Sequence, residues 1–310
     1  MGTLKGQNFR ICVFDHTETG DTTYDVFKVI GMATGCTVTL TNNTEDASHK
    51  DIVGAASMPT RTSMAWQISC DSLDVADTAA MLAAIKAMEP MTLMWDETST
   101  TDNQTRVKAT LARKGQAYLS DATFNFNDRE NATKQLQFVG TSDISAPAAS
   151  DTVVPIAAGA FTKGQFVRLF LGSDNTATPV SVIAAAKTLA LHVSVTLEVS
   201  TTKDTTGDYD VQEPTAISYD ITTGALMRSG ETITSQVTAK TIADLETIHK
   251  SGTPVKWAIA NVSGDNNRTA GSTIVSGSVL LTQLTLNGPN RANADYQATM
   301  QGYGPYEVSA

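Results

Sequence analysis

The sequence predicts a mainly β protein built from two tandem copies of one sandwich or barrel domain, each with one short α-helix. Composition is the first observation behind this. Of 310 residues, 41% are hydrophobic, 17% charged and 6% aromatic. Thr, Ser, Ala, Val and Asn are plentiful while helix-favouring Glu, Lys and Arg are scarce, a balance that leans towards strands. Length is the second, because 310 residues exceed one ordinary core and suit two domains of roughly 150 residues. The third is a hairpin that occurs twice. Gly115–Gly140 and Gly277–Gly302 agree without a gap at nine of 26 positions, where roughly one or two matches would arise by chance.

The hairpin copies share Gly115/Gly277, Leu119/Leu281, Thr123/Thr285, Asn125/Asn287, Arg129/Arg291, Asn131/Asn293, Ala132/Ala294, Gln135/Gln297 and Gly140/Gly302. Tyr118, Ala122, Phe124 and Phe126 fall at period 2, as do Leu280, Leu284 and Leu286, the signature of a half-buried strand. Turn formers fill 127–131 and 289–293. Alternating return strands follow, with Ala132, Leu136 and Phe138 against Ala294, Tyr296, Ala298 and Met300.

The remaining elements come in the same order in both halves. Lys5-Gly6-Gln7 and Lys163-Gly164-Gln165 lead into apolar strands and then turns at Asp15 and Asp174. Val29-Ile30 and Val182-Ile183 come next, and Val38-Thr39-Leu40 matches Val195-Thr196-Leu197. Long polar loops, Thr41 to Met58 and Val199 to Glu213, end in Pro59-Thr60 and Pro214-Thr215; aperiodic loops of this length are usually functional. The return strands place Trp66 and Ile68 opposite Tyr219 and Ile221, closed by Leu73 and Leu226.

A helix from about Val75 to Glu89 puts Met81, Leu82, Ile85 and Met88 on one face, with Asp74 and Asp77 at its start and Pro90 as its stop. The second runs from Thr241 and Asp244 to Gly252 and Pro254, with Ile242, Leu245 and Ile248 as its apolar face. Strands bearing Trp95 and Trp257 then precede the hairpins. Residues 142–155, rich in Ala, Ser and Pro, read as a linker between domains 1–141 and 156–310.

Net charge is −10, shared between the halves. A surface of this sign repels phosphate, which argues against a basic nucleic-acid interface and suits a surface that DNA slides past. Cys12, Cys36 and Cys70 all lie in the first half without CxxC spacing, so they read as reduced core thiols of a protein folded in a cytoplasm. The opening residues lack an apolar signal region, and no segment is apolar for long enough to span a membrane.

Chemistry is sparse. His16, His49, His192 and His249 stand at no metal-ligand spacing and read as structural. Asp204, Asp208, Asp210 and Glu213 form the only dense carboxylate cluster; it lacks the EF-hand spacing and central glycine, so it is a weak metal candidate and reads rather as a solvated loop. Nucleotide, nucleophile-elbow and zinc-protease motifs are missing. No catalytic residue and no cofactor are expected.

The sequence 115–144 and its counterpart 277–308 resemble the C-terminal signature of long-tailed (siphovirus-type) phage major tail tube proteins. In that family a strand ending Leu-x-Leu or Phe-x-Phe, a polar turn and an alternating strand precede Gly-x-Gly. Gly302-Tyr303-Gly304 keeps that ending, and Gly140-Thr141-Ser142 loses its second glycine. The resemblance implies a virion structural protein, assembled in the bacterial host cytoplasm and resident in the virion tail, whose rings stack into a tube around a DNA channel. A tandem duplicate would need three chains for a pseudo-hexameric ring. It implies as partners the chain itself, tail tip and tail terminator proteins and a tape-measure protein, with DNA transiting unbound and no membrane. It also makes the long loops inter-ring contacts, through Thr41, Asn42, Asn43, Asp46, His49 and Asp51 in the first copy and Thr201, Lys203, Asp204, Asp208 and Asp210 in the second. Two rival readings remain: a two-domain β-sandwich adhesin or decoration protein, and an enzyme using a metal on 204–213.

Overall fold

Alternating strands with one apolar face must bury that face against another layer, and the chain does so twice. The computed structural model describes residues 5–14, 26–30, 32–49, 57–73, 78–99, 101, 105–154, 162–227, 239–262 and 271–309. The first half runs through a 3-10 turn (Gly6–Asn8), β1 (Phe9–Phe14), β2 (Val26–Val29), β3 (Ala33–Asp46), β4 (Pro59–Ser72), α1 (Thr78–Ala87), β5 (Met91–Thr98), β6 (Arg106–Asn125), β7 (Thr133–Gly140) and β8 (Thr152–Val154). The second runs through a 3-10 turn (Gly164–Phe166), β9 (Val167–Leu171), β10 (Ser181–Ile183), β11 (Ala186–Val199), β12 (Gln212–Leu226), β13 (Ala239–Lys240), α2 (Ile242–Ser251), β14 (Val255–Asn261), β15 (Thr273–Asn287), β16 (Asp295–Gly302) and β17 (Glu307–Val308). The protein is mainly β, with one short helix in each half.

Pairing repeats along with order. β2–β1–β5–β6 form one layer, mirrored by β10–β9–β14–β15. The second layer, β3–β4–β7–β6, is mirrored by β11–β12–β16–β15. Because β6 and β15 are long, each serves one layer with its first part and the other layer with its last part. The sheets stay open instead of closing into a barrel.

The repeated glycines have a steric origin. Trp66 on β4 lies across Gly115 and Gly140, and a Cβ at Gly140 would overlap its ring. Tyr219 occupies the same place in the second half, 2.5 Å from where a Cβ on Gly302 would sit. Both aromatics then finish their polar duty alike: Trp66 Nε1 donates to Ser142 O (2.9 Å) and Tyr219 Oη to Ser278 O (2.6 Å).

The helices follow their caps. Thr241 and Asp244 form a reciprocal capping box, and Gly252 ends α2 in the left-handed region at φ 61°, where a Cβ is disfavoured. In α1, Met81, Leu82 and Ile85 are buried together with Thr78. Asp74, Val75 and Asp77 lie outside the described residues, as does Asp15. Residues 142–154 are fastened to the first half rather than running free. Lys114 and Ser145 exchange backbone hydrogen bonds, Lys114 Nζ reaches Asp151 Oδ2 at 3.0 Å, and β8 pairs in parallel with β2.

Cross-strand partners correct four sequence expectations. Trp66 faces Leu40 as Tyr219 faces Val193, so Val38-Thr39-Leu40 corresponds to Leu191-His192-Val193 and not to Val195-Thr196-Leu197. By the same register Pro59 corresponds to Gln212, not Pro214. Leu93 and Trp257 face the paired glycines Gly115 and Gly277, so Trp95 and Trp257 are not counterparts. Finally, a bulge between Leu119 and Asp121, repeated between Leu281 and Gln283, switches the strand's phase. Ala117, Leu119, Ala122 and Phe124 are buried while Tyr118 is not.

Candidate functional site

A strand whose outer backbone groups lack a partner is a docking edge unless it is blunted. One such edge is filled inside the chain. Residues Asp121–Asn125 of β6 pair antiparallel with Ala190–Ser194 of β11, Phe124 opposite Leu191 and Ala122 opposite Val193. This seam joins the two second layers into one antiparallel sheet ordered β3–β4–β7–β6–β11–β12–β16–β15. All four apolar side chains at the seam are buried.

The seam continues past the strands. Phe126 N donates to Leu189 O (2.7 Å), Asp128 N to Lys187 O (2.8 Å) and Gly164 N to Glu130 O (2.9 Å). Lys163 Nζ donates to Asn131 Oδ1 (2.9 Å). On the solvent face, His192 sits between two carboxylates, Nε2 2.7 Å from Asp121 Oδ2 and Nδ1 2.8 Å from Asp220 Oδ1. Burial opposes charge on the imidazole, but hydrogen bonds and attraction from Asp121 and Asp220 prevail and raise its pKa above the ordinary 6.5. The protonated ring then clamps both strands.

The opposite ends of this eight-stranded sheet are open. Among the described residues β3 pairs only with β4, and residues 283–287 of β15 pair only with β16. Leu40 is 62% exposed where its counterpart Val193 is 1%, and Leu286 is 48% exposed where its counterpart Phe124 is 0%. Val38 and Leu284 are likewise only partly covered, unlike Leu191 and Ala122. Two open edges therefore carry the apolar complement of a seam that is closed elsewhere in the molecule. Neither Lys nor Pro blunts β3.

The solvent face of the eight strands is polar and poor in cations. Thr37, Thr39, Gln67, Ser69, Gln135, Gln137, Thr222 and Gln301 line it, with Asp71, Asp121, Asp220 and Asp295 among its carboxylates and His192 held between two of them. Lys134, on the same sheet, turns inward and is fully buried.

The loop residues fall into two groups. Thr41, Asn42, Asn43 and Asp46 belong to β3, which runs further than the sequence suggested. His49 lies just beyond it, and Asp51 lies outside the described residues. Thr201, Lys203, Asp204, Asp208 and Asp210 lie in the segment 200–211, which folds back on the first half of the same chain. There Arg61 pairs with Asp208 at 2.7 Å and Asn43 Nδ2 donates to Asp210 Oδ2 at 2.8 Å. Met64 exchanges backbone hydrogen bonds with this segment, Met64 N to Asp208 O and Asp210 N to Met64 O, both 2.8 Å. Asp46 accepts from Ser48 Oγ and the backbone of Ser48 and Met58, which hold its carboxyl below the ordinary carboxylate range. Asp208 and Asp210 are thus engaged separately, Asp204 is exposed and Glu213 sits on β12. Among the described residues no three His, Cys, Asp or Glu side chains converge as a metal site.

Sequence reading missed the seam itself. Its one visible trace was the pair of Lys-Gly-Gln tripeptides, because Gly164 packs against the turn of the first hairpin.

No protein-family model matches the sequence, and no curated protein does. Among solved structures, the chain is similar to one in the virion of a native gene transfer agent particle, at 13% identity and TM-score 0.35 over 48% of this chain and 99% of that one. It is also similar to one in the tail of an empty gene transfer agent particle of C6 symmetry, at 12% identity and TM-score 0.37, covering 48% and 99%. The SPP1 tail tube is a third, at 14% identity and TM-score 0.35, covering 47% and 78%.

Proposed function

We propose that this chain is the structural, non-catalytic subunit of a phage-type tail tube, two tail-tube domains in tandem that join head to tail into rings. The observation that supports it most is the mismatch in burial between the internal seam and the open edges. A buried seam at one boundary and its exposed complement at both ends describe a heterologous interface, which closes into a ring when the rotation permits. Carried over by register, the joint between chains sets Val38 opposite Leu286 and Leu40 opposite Leu284. Three chains, each contributing the eight antiparallel strands, would close a pseudo-hexameric ring of 24.

In that ring the polar face of the sheet lines the channel. Thr, Gln and Ser carry no charge, and Asp71, Asp121 and Asp220 outnumber the His192 imidazole held between two of them, so the face stays acidic and DNA passes without being held. Stacked rings then make the tube, ended by tip and terminator proteins. No helix among the described residues is long and apolar enough to cross a membrane.

The test is negative-stain electron microscopy of the purified chain across a concentration series, with its mass in solution. Rings or tubes of three chains per layer are expected. A monodisperse monomer at every concentration, with or without a tail-tip extract, would overturn the reading.

A further inference from the structure

We infer that Lys5-Gly6-Gln7 is a vacant socket for the hairpin turn Asn287–Asn293 of a second copy of this chain, deepening the head-to-tail reading above. The evidence is an occupied copy of the same socket within the molecule. Lys163-Gly164-Gln165 receives the first hairpin's turn through Gly164 N to Glu130 O and Lys163 Nζ to Asn131 Oδ1. Gly164 is buried there, and a Cβ on it would overlap the backbone of Phe126 and Asn127. Its φ is not in the left-handed region, so space alone requires glycine at that position.

Gly6 matches it in every respect but one. It opens a 3-10 turn of the same length, after a lysine of nearly the same backbone conformation: Lys5 has φ −85° and ψ 135°, Lys163 φ −80° and ψ 131°. In both, the N–H of the residue closing the turn donates to the glycine carbonyl. Yet among the described residues a Cβ on Gly6 would meet nothing within 4 Å, and its backbone conformation does not call for glycine either. Among the described residues of one chain, that glycine has no steric reason.

The ligand for this socket is equally preformed. Arg129 and Arg291 both hold positive φ, 61° and 62°, which marks the two hairpin turns as one conformation. Asn293 stands where Asn131 stands, ready for Lys5, and Ala292 O stands where Glu130 O meets the glycine N–H. The open edges lead to the same place, because Leu286 directly precedes this turn as Phe124 precedes the other. Backbone contacts carry most of the docking, which explains how Asp128 and Glu130 can be replaced by Asn290 and Ala292 in the second turn.

The experiment uses the full chain and Gly6→Leu, with sedimentation velocity over a concentration series and electron microscopy. Gly6→Leu is expected to raise the concentration needed for self-association by about tenfold or more, with an unchanged monomer melting temperature because the site is exposed. In parallel, Lys5→Cys and Asn293→Cys chains are mixed under mild oxidation, with Lys5→Cys and Thr253→Cys as the mispaired control. A disulfide-linked dimer specific to the first pair supports the socket, even if rings do not form. Rings that assemble equally well from Gly6→Leu, without the specific cross-link, overturn the socket and leave the tail tube reading intact. Absence of both association and cross-link overturns both.

Discussion

Replacing Leu40 and Leu286 together by Thr removes the two most exposed apolar side chains of the seam's complement while placing strand-favouring β-branched residues on both strands. The magnitude follows from burial at the internal seam. Leu40 would lose about six-tenths of its surface and Leu286 about half on matching Val193 and Phe124. Full burial of a leucine side chain is worth about 1.5–3 kcal/mol, so the pair contributes about 2–3 kcal/mol to one joint. Self-association should weaken about 30- to 150-fold, read as a shift in the midpoint of sedimentation equilibrium curves. Because both residues sit at open sheet edges and are largely uncovered in the single chain, its melting temperature should change little. Val193→Thr, at the internal counterpart, should instead destabilise the fold. Unchanged association, or a loss of monomer stability as large as that of Val193→Thr, would refute the reasoning.

Four further outcomes are expected. The His192 clamp contributes stability that is complete below pH 6.5 and lost as pH rises through the raised value in the folded chain. His192→Gln should flatten that dependence in thermal melts across this range. Arg106→Met should cost about 3–5 kcal/mol in urea unfolding, because it strands Asp96, a buried carboxylate held at 2.5 Å. Gly302→Ala should cost about 1–3 kcal/mol by pressing a methyl into the Tyr219 ring, and Tyr219→Leu in the same chain should recover part of it. Thr241→Ala should cost about 1 kcal/mol by removing the capping box of α2.

Elements governed by local rules were legible in the sequence. The capping box and Gly252 announce α2, and the two hairpins announce themselves because their glycines and turn residues answer steric demands that recur in both halves. Register was not legible. Moving Val38-Thr39-Leu40 by four residues leaves the alternation of β-branched and polar side chains intact, so pattern alone sets Leu40 beside Leu197 as readily as beside Val193. Only the partner across the sheet, Trp66 or Tyr219, decides it. The bulge near Ser120 escaped for a related reason, since a phase switch between two correctly alternating runs looks like noise. The candidate site was hidden more deeply. Leu286 and Phe124 are equally apolar in sequence, and what separates them is whether β11 lies alongside, a fact fixed by residues far along the chain.

The fastening of residues 142–154 has a consequence for assembly. Lys114, Ser145 and Asp151 shorten the slack between the halves, so the internal seam forms at high effective concentration and never has to find its partner by diffusion. Such a seam tolerates contacts that are weak or conditional: a histidine clamp that fades with pH, and an exposed Arg61–Asp208 pair that salt screens. The joint between chains has no tether. Its counterpart of the clamp would be neutral, with Thr39 between Gln283 and Gln67, and its grip would be apolar. Rising pH and salt should therefore loosen a subunit within itself while leaving the contacts between subunits largely indifferent, an inversion of the usual order in which oligomers dissociate before their protomers soften.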